Sequence, residues 1–194
     1  MSDLRSVRLP TARLTLEAAC PADAGALATY YTENAAHLMP WEPPRFPAVT
    51  TEVWWQAQLA QAERLAAEGS ALRLLMRRRD EAAVVGVIGL SAIARGPFEA
   101  AILGYSLGTQ VEGQGLMFEA LEALVGWSFD TLQLHRLMAN HLPENLRSAR
   151  LLRRLGFVVE GYARDYLFIG DAWRDHVLTA LTNPHPRVPA AFAP

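Results

Sequence analysis

The stretch from residue 100 to residue 142 constrains the fold more than any other part of the chain. It opens with an apolar segment, "AAILGYSLG", turns through "TQVEGQG", continues as "LMFEALEALVGWSF" and closes with "RLMANHL". Leu116, Ala120, Leu121, Leu124, Val125 and Phe129 recur close to helical spacing, so 115–129 reads as a helix. A strand, a helix and a strand form one crossover unit, and such a unit joins parallel strands. Upstream, short turns separate 71–79, 83–95 and 100–108, which read as three successive strands in antiparallel hairpins. A first strand is expected at 11–19, helices at 21–38, 50–69 and 145–156, and a final pair of strands at 157–169 and 173–182. Gly69 and Gly156 stand where helices stop. The four prolines of 39–47 exclude a helix there. The order β-α-α-β-β-β-α-β-α-β-β predicts an α+β fold. It is a mixed, mostly antiparallel sheet flanked by helices, in one domain over 1–194.

Composition removes several function classes. Net charge is −2, from 18 basic and 20 acidic residues, so no direct nucleic-acid partner is expected and any anion site must be local. No apolar run reaches the roughly 18 residues a membrane helix needs, and "MSDLRSVRLPTARL" lacks the apolar middle of a signal peptide. The single cysteine, Cys20, rules out an internal disulfide framework, and a cytoplasmic setting is expected. No metal is expected. All 18 basic residues are arginine, which codon bias explains, since alanine is also abundant; the sequence does not support the other reading, avoidance of self-modification at lysine.

The two glycines of "QVEGQG" invite a close approach to the backbone. A nucleotide P-loop requires a lysine, and the chain has none. A dinucleotide fingerprint requires a third glycine where Phe118 stands. A helix N-terminus still offers unpaired N–H groups and a positive dipole end. A diphosphate could sit against the amides of Val111 to Met117; a glycine-rich turn with no ligand fits the same residues.

Q-x-x-G-x-G between strand and helix resembles the acetyl-CoA-binding motif of the GNAT N-acetyltransferases, and "NLRSARLLRRLGF" resembles their second motif at matching spacing. "LMPWEPPR", "GYSLGTQVEGQGLMFEAL", "LHRLMANHLPENLRSARLLRRLGF" and "EGYARDYLFIGDAWRDHVLTAL" extend the likeness over nearly the whole chain. They resemble the branch that acetylates the N-terminal alanine of a small-subunit ribosomal protein. The resemblance implies a twisted sheet with two splayed parallel strands and acetyl-CoA as cofactor. A protein N-terminus is the implied partner, and a homodimer is expected by analogy. It places Tyr105 and Leu107 along the pantetheine arm, with the Leu107 N–H on the thioester carbonyl. Gln110, Val111, Glu112, Gly113, Gln114, Gly115, Leu116 and Met117 form the diphosphate cradle, with the Glu112 side chain turned to solvent. Asn145 caps the next helix and bonds the pantetheine amide, and Ser148 meets the sulfur. Arg147, Arg150 and Arg154 share a helix face, either solvated or meeting the adenosine 3′-phosphate.

The implied reaction is attack of a neutral amine on a thioester. An α-amino group with pKa about 8 is roughly one-tenth neutral at pH 7, so only a modest base is needed. Glu99, an even eight residues before Leu107, is the first candidate and Glu42 the second; His37, His135 and His176 read as structural. Ser148 is the first candidate acid, and Tyr105 is an alternative. Trp41, Glu42, Asp165 and Tyr166 are expected at the peptide site, a carboxylate such as Glu42 or Asp165 holding the ammonium; Trp173 is expected in the core. Two further readings keep the cofactor. One moves the acceptor to a small amine such as an antibiotic or polyamine; the other is a non-catalytic acetyl-CoA-binding module, against which the intact motifs weigh.

Overall fold

The computed structural model describes residues 3–44, 50–189 and 192. Two strands, β1 (Arg8–Pro10) and β2 (Leu14–Ala18), are followed by α1 (Ala24–Glu33), the single turn α2 (Ala35–Leu38) and α3 (Glu52–Ala67). Then come β3 (Leu72–Arg78), β4 (Val84–Ala94), β5 (Ala100–Leu107), α4 (Leu116–Asp130), β6 (Arg136–His141), α5 (Leu146–Arg154), β7 (Val158–Ile169) and β8 (Ala172–Thr182). The strands form one sheet in the order β1-β2-β3-β4-β5-β6-β8-β7. Among the described strands only β5 and β6 pair in parallel. This is the expected α+β arrangement with one strand more. β1 has three residues and ends on Pro10, too short for alternation to register.

Helices cover both faces. α4 buries Leu116, Ala120, Leu121 and Leu124 against Leu74, Ile88, Leu103 and Leu137, and α5 adds Leu152. On the other face α1 and α3 bury Leu27, Tyr31, Trp55 and Leu59 against Leu75 and Val87. Tyr31 and Trp55 stack with centroids 4.8 Å apart. Local signals set the helix ends. The Thr51 side chain accepts the Trp54 N–H at the start of α3, and Gly69 follows its end at φ +69°. Gly156, at φ +92°, does the same after α5. The proline-rich segment departs from expectation in its first part. Met39–Trp41 makes one 3₁₀ turn, which tolerates Pro40 because proline takes the first helical positions. Residues 45–49, which include the last residue of "LMPWEPPR", lie outside the described residues.

Candidate active site

Three parallel pairs join β5 to β6: Ala100 with Arg136, Ala101 with Leu137 and Ile102 with Met138. Beyond them β5 runs on to Leu107 paired with β4 alone, leaving about 16 Å of strand edge open where β6 diverges. Two hydrogen bonds fix which groups line this opening. The Gly108 N–H donates to Val85 O on the β4 side at 2.9 Å, and the Arg136 N–H of β6 donates to Glu99 O at 3.1 Å. Backbone groups alternate along a strand, so Leu103, Tyr105 and Leu107 turn theirs toward the opening. Hence the Leu107 N–H faces into the cleft, as a carbonyl-polarising donor must.

The Tyr105 side chain reaches from β5 to the first turn of α5, where its hydroxyl lies 2.6 Å from Ser148 Oγ. Burial pushes the phenol up to about 12, and the bond to Ser148 offsets only part of this, so Tyr105 keeps its proton. Asn145 fixes the partner helix, its Oδ1 accepting the Ser148 N–H at 3.0 Å. Two hydroxyls thus stand together at one wall of the opening, held by a strand and a capped helix.

Gly113 at φ +73° and Gly115 at φ +75° take left-handed conformations, and Gly115 is the N-cap of α4. A Cβ at Gly113 would stand in open space, while one at Gly115 would lie 3.6 Å from Arg13 Nη2. The cradle is shorter than the sequence implies. Val111 and Glu112 spend their N–H groups inside a 3₁₀ turn, on Gly108 O at 3.2 Å and Thr109 O at 3.4 Å. The first bond of α4 is from Glu119 N to Gly115 O, so the donors of the turn begin after Glu112 and run into the first turn of α4. Glu112 is not simply turned to solvent; its side chain is 28% exposed. Its carboxylate is 3.4 Å from His37 Nε2 and pairs with Arg147, so the acidic side chain is neutralised beside the turn. Arg147 is thereby occupied by Glu112, and the Arg154 guanidinium lies 3.7 Å over the Phe118 ring.

The residues expected at the peptide site gather on the α1 face of the sheet and at the β7–β8 tip. Asn140, at the diverging end of β6, donates to the Tyr166 hydroxyl at 3.1 Å, and the Tyr166 ring lies 5.4 Å from that of buried His176. His37 touches Glu112 in the glycine turn, while Glu42 O accepts the Gly170 N–H at the β7–β8 tip at 3.4 Å. Residues 37–42, with Trp41 and Glu42, therefore reach from the glycine turn to the hairpin. The Glu42 Oε2 atom is withdrawn from solvent. Asp165 sits in the bulge of β7 at φ +48°, its N–H donating to Asp175 Oδ1 at 2.9 Å.

Glu99 is not brought to this site. Even spacing does put it on Leu107's face, but eight residues of extended strand separate the two by about 26 Å. Its carboxylate accepts the Gly96 N–H and an Arg95 N–H, each at 2.9 Å, and closes the β4–β5 turn at φ +40°. Trp173 is 60% exposed and meets Phe168 edge-on, so it is not core. A residue the motifs do not mark is buried Asn34, which accepts the Thr109 N–H at 2.9 Å and donates to Tyr30 O at 2.8 Å. It ties α1 to the start of the glycine turn across 75 residues, a contact no local pattern announces.

An opened parallel pair, an inward strand N–H and a glycine turn at a helix start together form a cleft for an acylated, phosphate-bearing cofactor. Residues 13–158 match the family model described as "Acetyltransferase (GNAT) domain". The chain belongs to the GNAT acetyltransferase family. Over 183 residues, 94% of each protein, it is 47% identical to the [ribosomal protein uS5]-alanine N-acetyltransferase of Escherichia coli. The ribosomal-protein-S5-alanine acetyltransferase of Vibrio fischeri superposes with a TM-score of 0.89 at 36% identity, covering 94% of this chain and all of that one. Mycobacterium smegmatis RimJ, solved in complex with CoA-disulfide, gives 0.89 at 27% identity, covering 96% of this chain and 93% of that one. Such a coenzyme fits the residues present: open space at Gly113, donors at a helix start without a side-chain cap, and the exposed edge of β5.

Proposed function

We propose that this acetyltransferase moves the acetyl group of acetyl-CoA to the N-terminal alanine of ribosomal protein uS5 in the cytoplasm. The observation that carries the chemistry is the open edge of β5, which sets the Leu107 N–H and the 2.6 Å Tyr105–Ser148 hydroxyl pair on one cleft. The identity to the uS5-alanine enzyme over 94% of the chain supports the acceptor. When bound, acetyl-CoA supplies an activated acyl thioester. The Leu107 N–H stabilises the developing oxyanion. The Tyr105 and Ser148 hydroxyls hold a proton beside the leaving sulfur and pass it on as the carbon–sulfur bond breaks. The start of α4 and its glycine turn grip the diphosphate, and Asn145 binds the pantetheine amide. Glu42 and Tyr166 receive the peptide end on the α1 face, where Glu42 holds the ammonium before it loses its proton. An α-amino group with pKa about 8 needs no strong base there.

The test is thiol release from acetyl-CoA with an alanine-starting uS5 peptide, the same peptide starting with serine, and a panel of small amines. Turnover confined to the alanine peptide is expected, with the product heavier by one acetyl group. Preferential turnover of a small amine would move the acceptor, and no turnover with any amine would leave only cofactor binding.

A further inference from the structure

Gln114 is held from three sides. Arg13 Nη1 donates to its backbone oxygen at 2.9 Å, and Arg78 Nη2 donates to its Oε1 at 2.7 Å. Its own Nε2 donates to Gln110 O at 3.3 Å. Arg13 is itself anchored: its Nε donates to Glu119 Oε2 and its backbone N–H to Glu119 Oε1, each at 2.7 Å. Thr11 Oγ1 donates to the same Oε1 at 2.6 Å. The network joins the entrance of β2, the end of β3 and the first turn of α4 around a single peptide. Neither arginine belongs to the glycine motif.

We propose that Arg13 and Arg78 are positioning residues for the diphosphate grip, acting through Gln114. The idea rests on the acetyl-CoA reading above. In a trans peptide the carbonyl and the following N–H point in opposite directions. With Gln114 O drawn to Arg13, the Gly115 N–H is turned away from β2 and presented as an anion donor. That orientation needs holding, because Gly113 and Gly115 flank the peptide and glycine crosses between positive and negative φ readily. Arg13 fixes the peptide plane and Arg78 the side chain, so the turn is set before the ligand arrives and less ordering accompanies binding.

The experiment compares two donors, acetyl-CoA and S-acetylpantetheine, which lacks the diphosphate. For Arg13→Ala the KM for acetyl-CoA is expected to rise about tenfold at nearly unchanged kcat, the effect of one charge-assisted contact. Arg78→Ala, which leaves the Glu119 anchor intact, is expected to raise it about threefold, and it carries the test if Arg13→Ala does not fold. With S-acetylpantetheine both variants should match the wild type. Equal losses with both donors would mark the arginines as merely structural and overturn the proposal, as would unchanged acetyl-CoA kinetics. Wild-type protein that uses neither donor would overturn the acetyl-CoA reading itself, and this proposal with it.

Discussion

At the residue scale, Tyr105 combines a firmly held proton with a hydroxyl neighbour. It is held to about 12 by burial, and it shares a 2.6 Å contact with Ser148 at the wall of the cleft. Tyr105→Phe keeps the packing and removes the proton. It is expected to lower kcat by about a hundredfold with the peptide KM little changed, in the range of general acid catalysis; thiol release measures both. The rate should rise with pH as the substrate amine deprotonates near a pKa of about 8, with no falling limb from Tyr105 below about pH 11. Stability, by contrast, falls at high pH. A phenol raised in the folded state ionises first in the unfolded chain, so its contribution is whole below about 10 and is lost as pH climbs toward 12. Glu99→Gln should leave the pH–rate profile in place, because that carboxylate binds the 95–96 turn at the far end of β5.

At the element scale, the start of α4 is fixed to the entrance of β2 by Glu119. Its burial raises the carboxyl, but hydrogen bonds from Thr11, the Arg13 N–H and the Arg13 side chain together outweigh this and hold it below the usual glutamate range. A depressed carboxylate contributes stability above its unfolded pKa of about 4.5 and loses it as pH falls through the folded value. Glu119→Gln is therefore expected to cost about 2 kcal/mol at pH 7, and the gap to wild type should narrow in denaturant titrations as pH falls below about 4.5. A gap independent of pH would show that packing, not the charged bonds, holds the helix. The elements themselves were largely legible in the sequence. α4 shows its helical stripe and β3 to β5 show short turns between apolar runs, since both patterns are local. β1 was not legible, because its pairing with β2 comes from across the turn at Thr11 rather than from its own three residues.

At the scale of the whole molecule, the proposed function divides the two faces of the sheet. It assigns the glycine turn, α4 and α5 to the cofactor and the α1 face to the acceptor; on that face Asn140, Tyr166 and His176 stand together, and residues 37–42 cross from the turn to the hairpin. Trp173, an odd number of residues from His176 on β8, faces the other way, beside Glu144 and Tyr162. Tyr166→Ala is expected to raise the KM for the alanine peptide about tenfold and leave that for acetyl-CoA unchanged, whereas Trp173→Ala should move neither. Steady-state kinetics with each substrate varied in turn would read this, and a peptide KM that follows Trp173 would place the acceptor on the wrong face.

By itself the sequence determined the order of elements, the parallel crossover, the glycine turn and the Asn145–Ser148 cap. Each is written in a run of neighbouring residues whose spacing matches a backbone period. Only the tertiary structure decided that β8 lies between β6 and β7, that Glu112 meets His37 and Arg147, and that Glu99 stands a strand length from Leu107. Alternation along a strand fixes the face of a side chain but says nothing of how far along the strand the chemistry lies. Arg13 and Asn34 carry no local signal either. Their partners are 101 and 75 residues away, and only the folded sheet brings them to one turn.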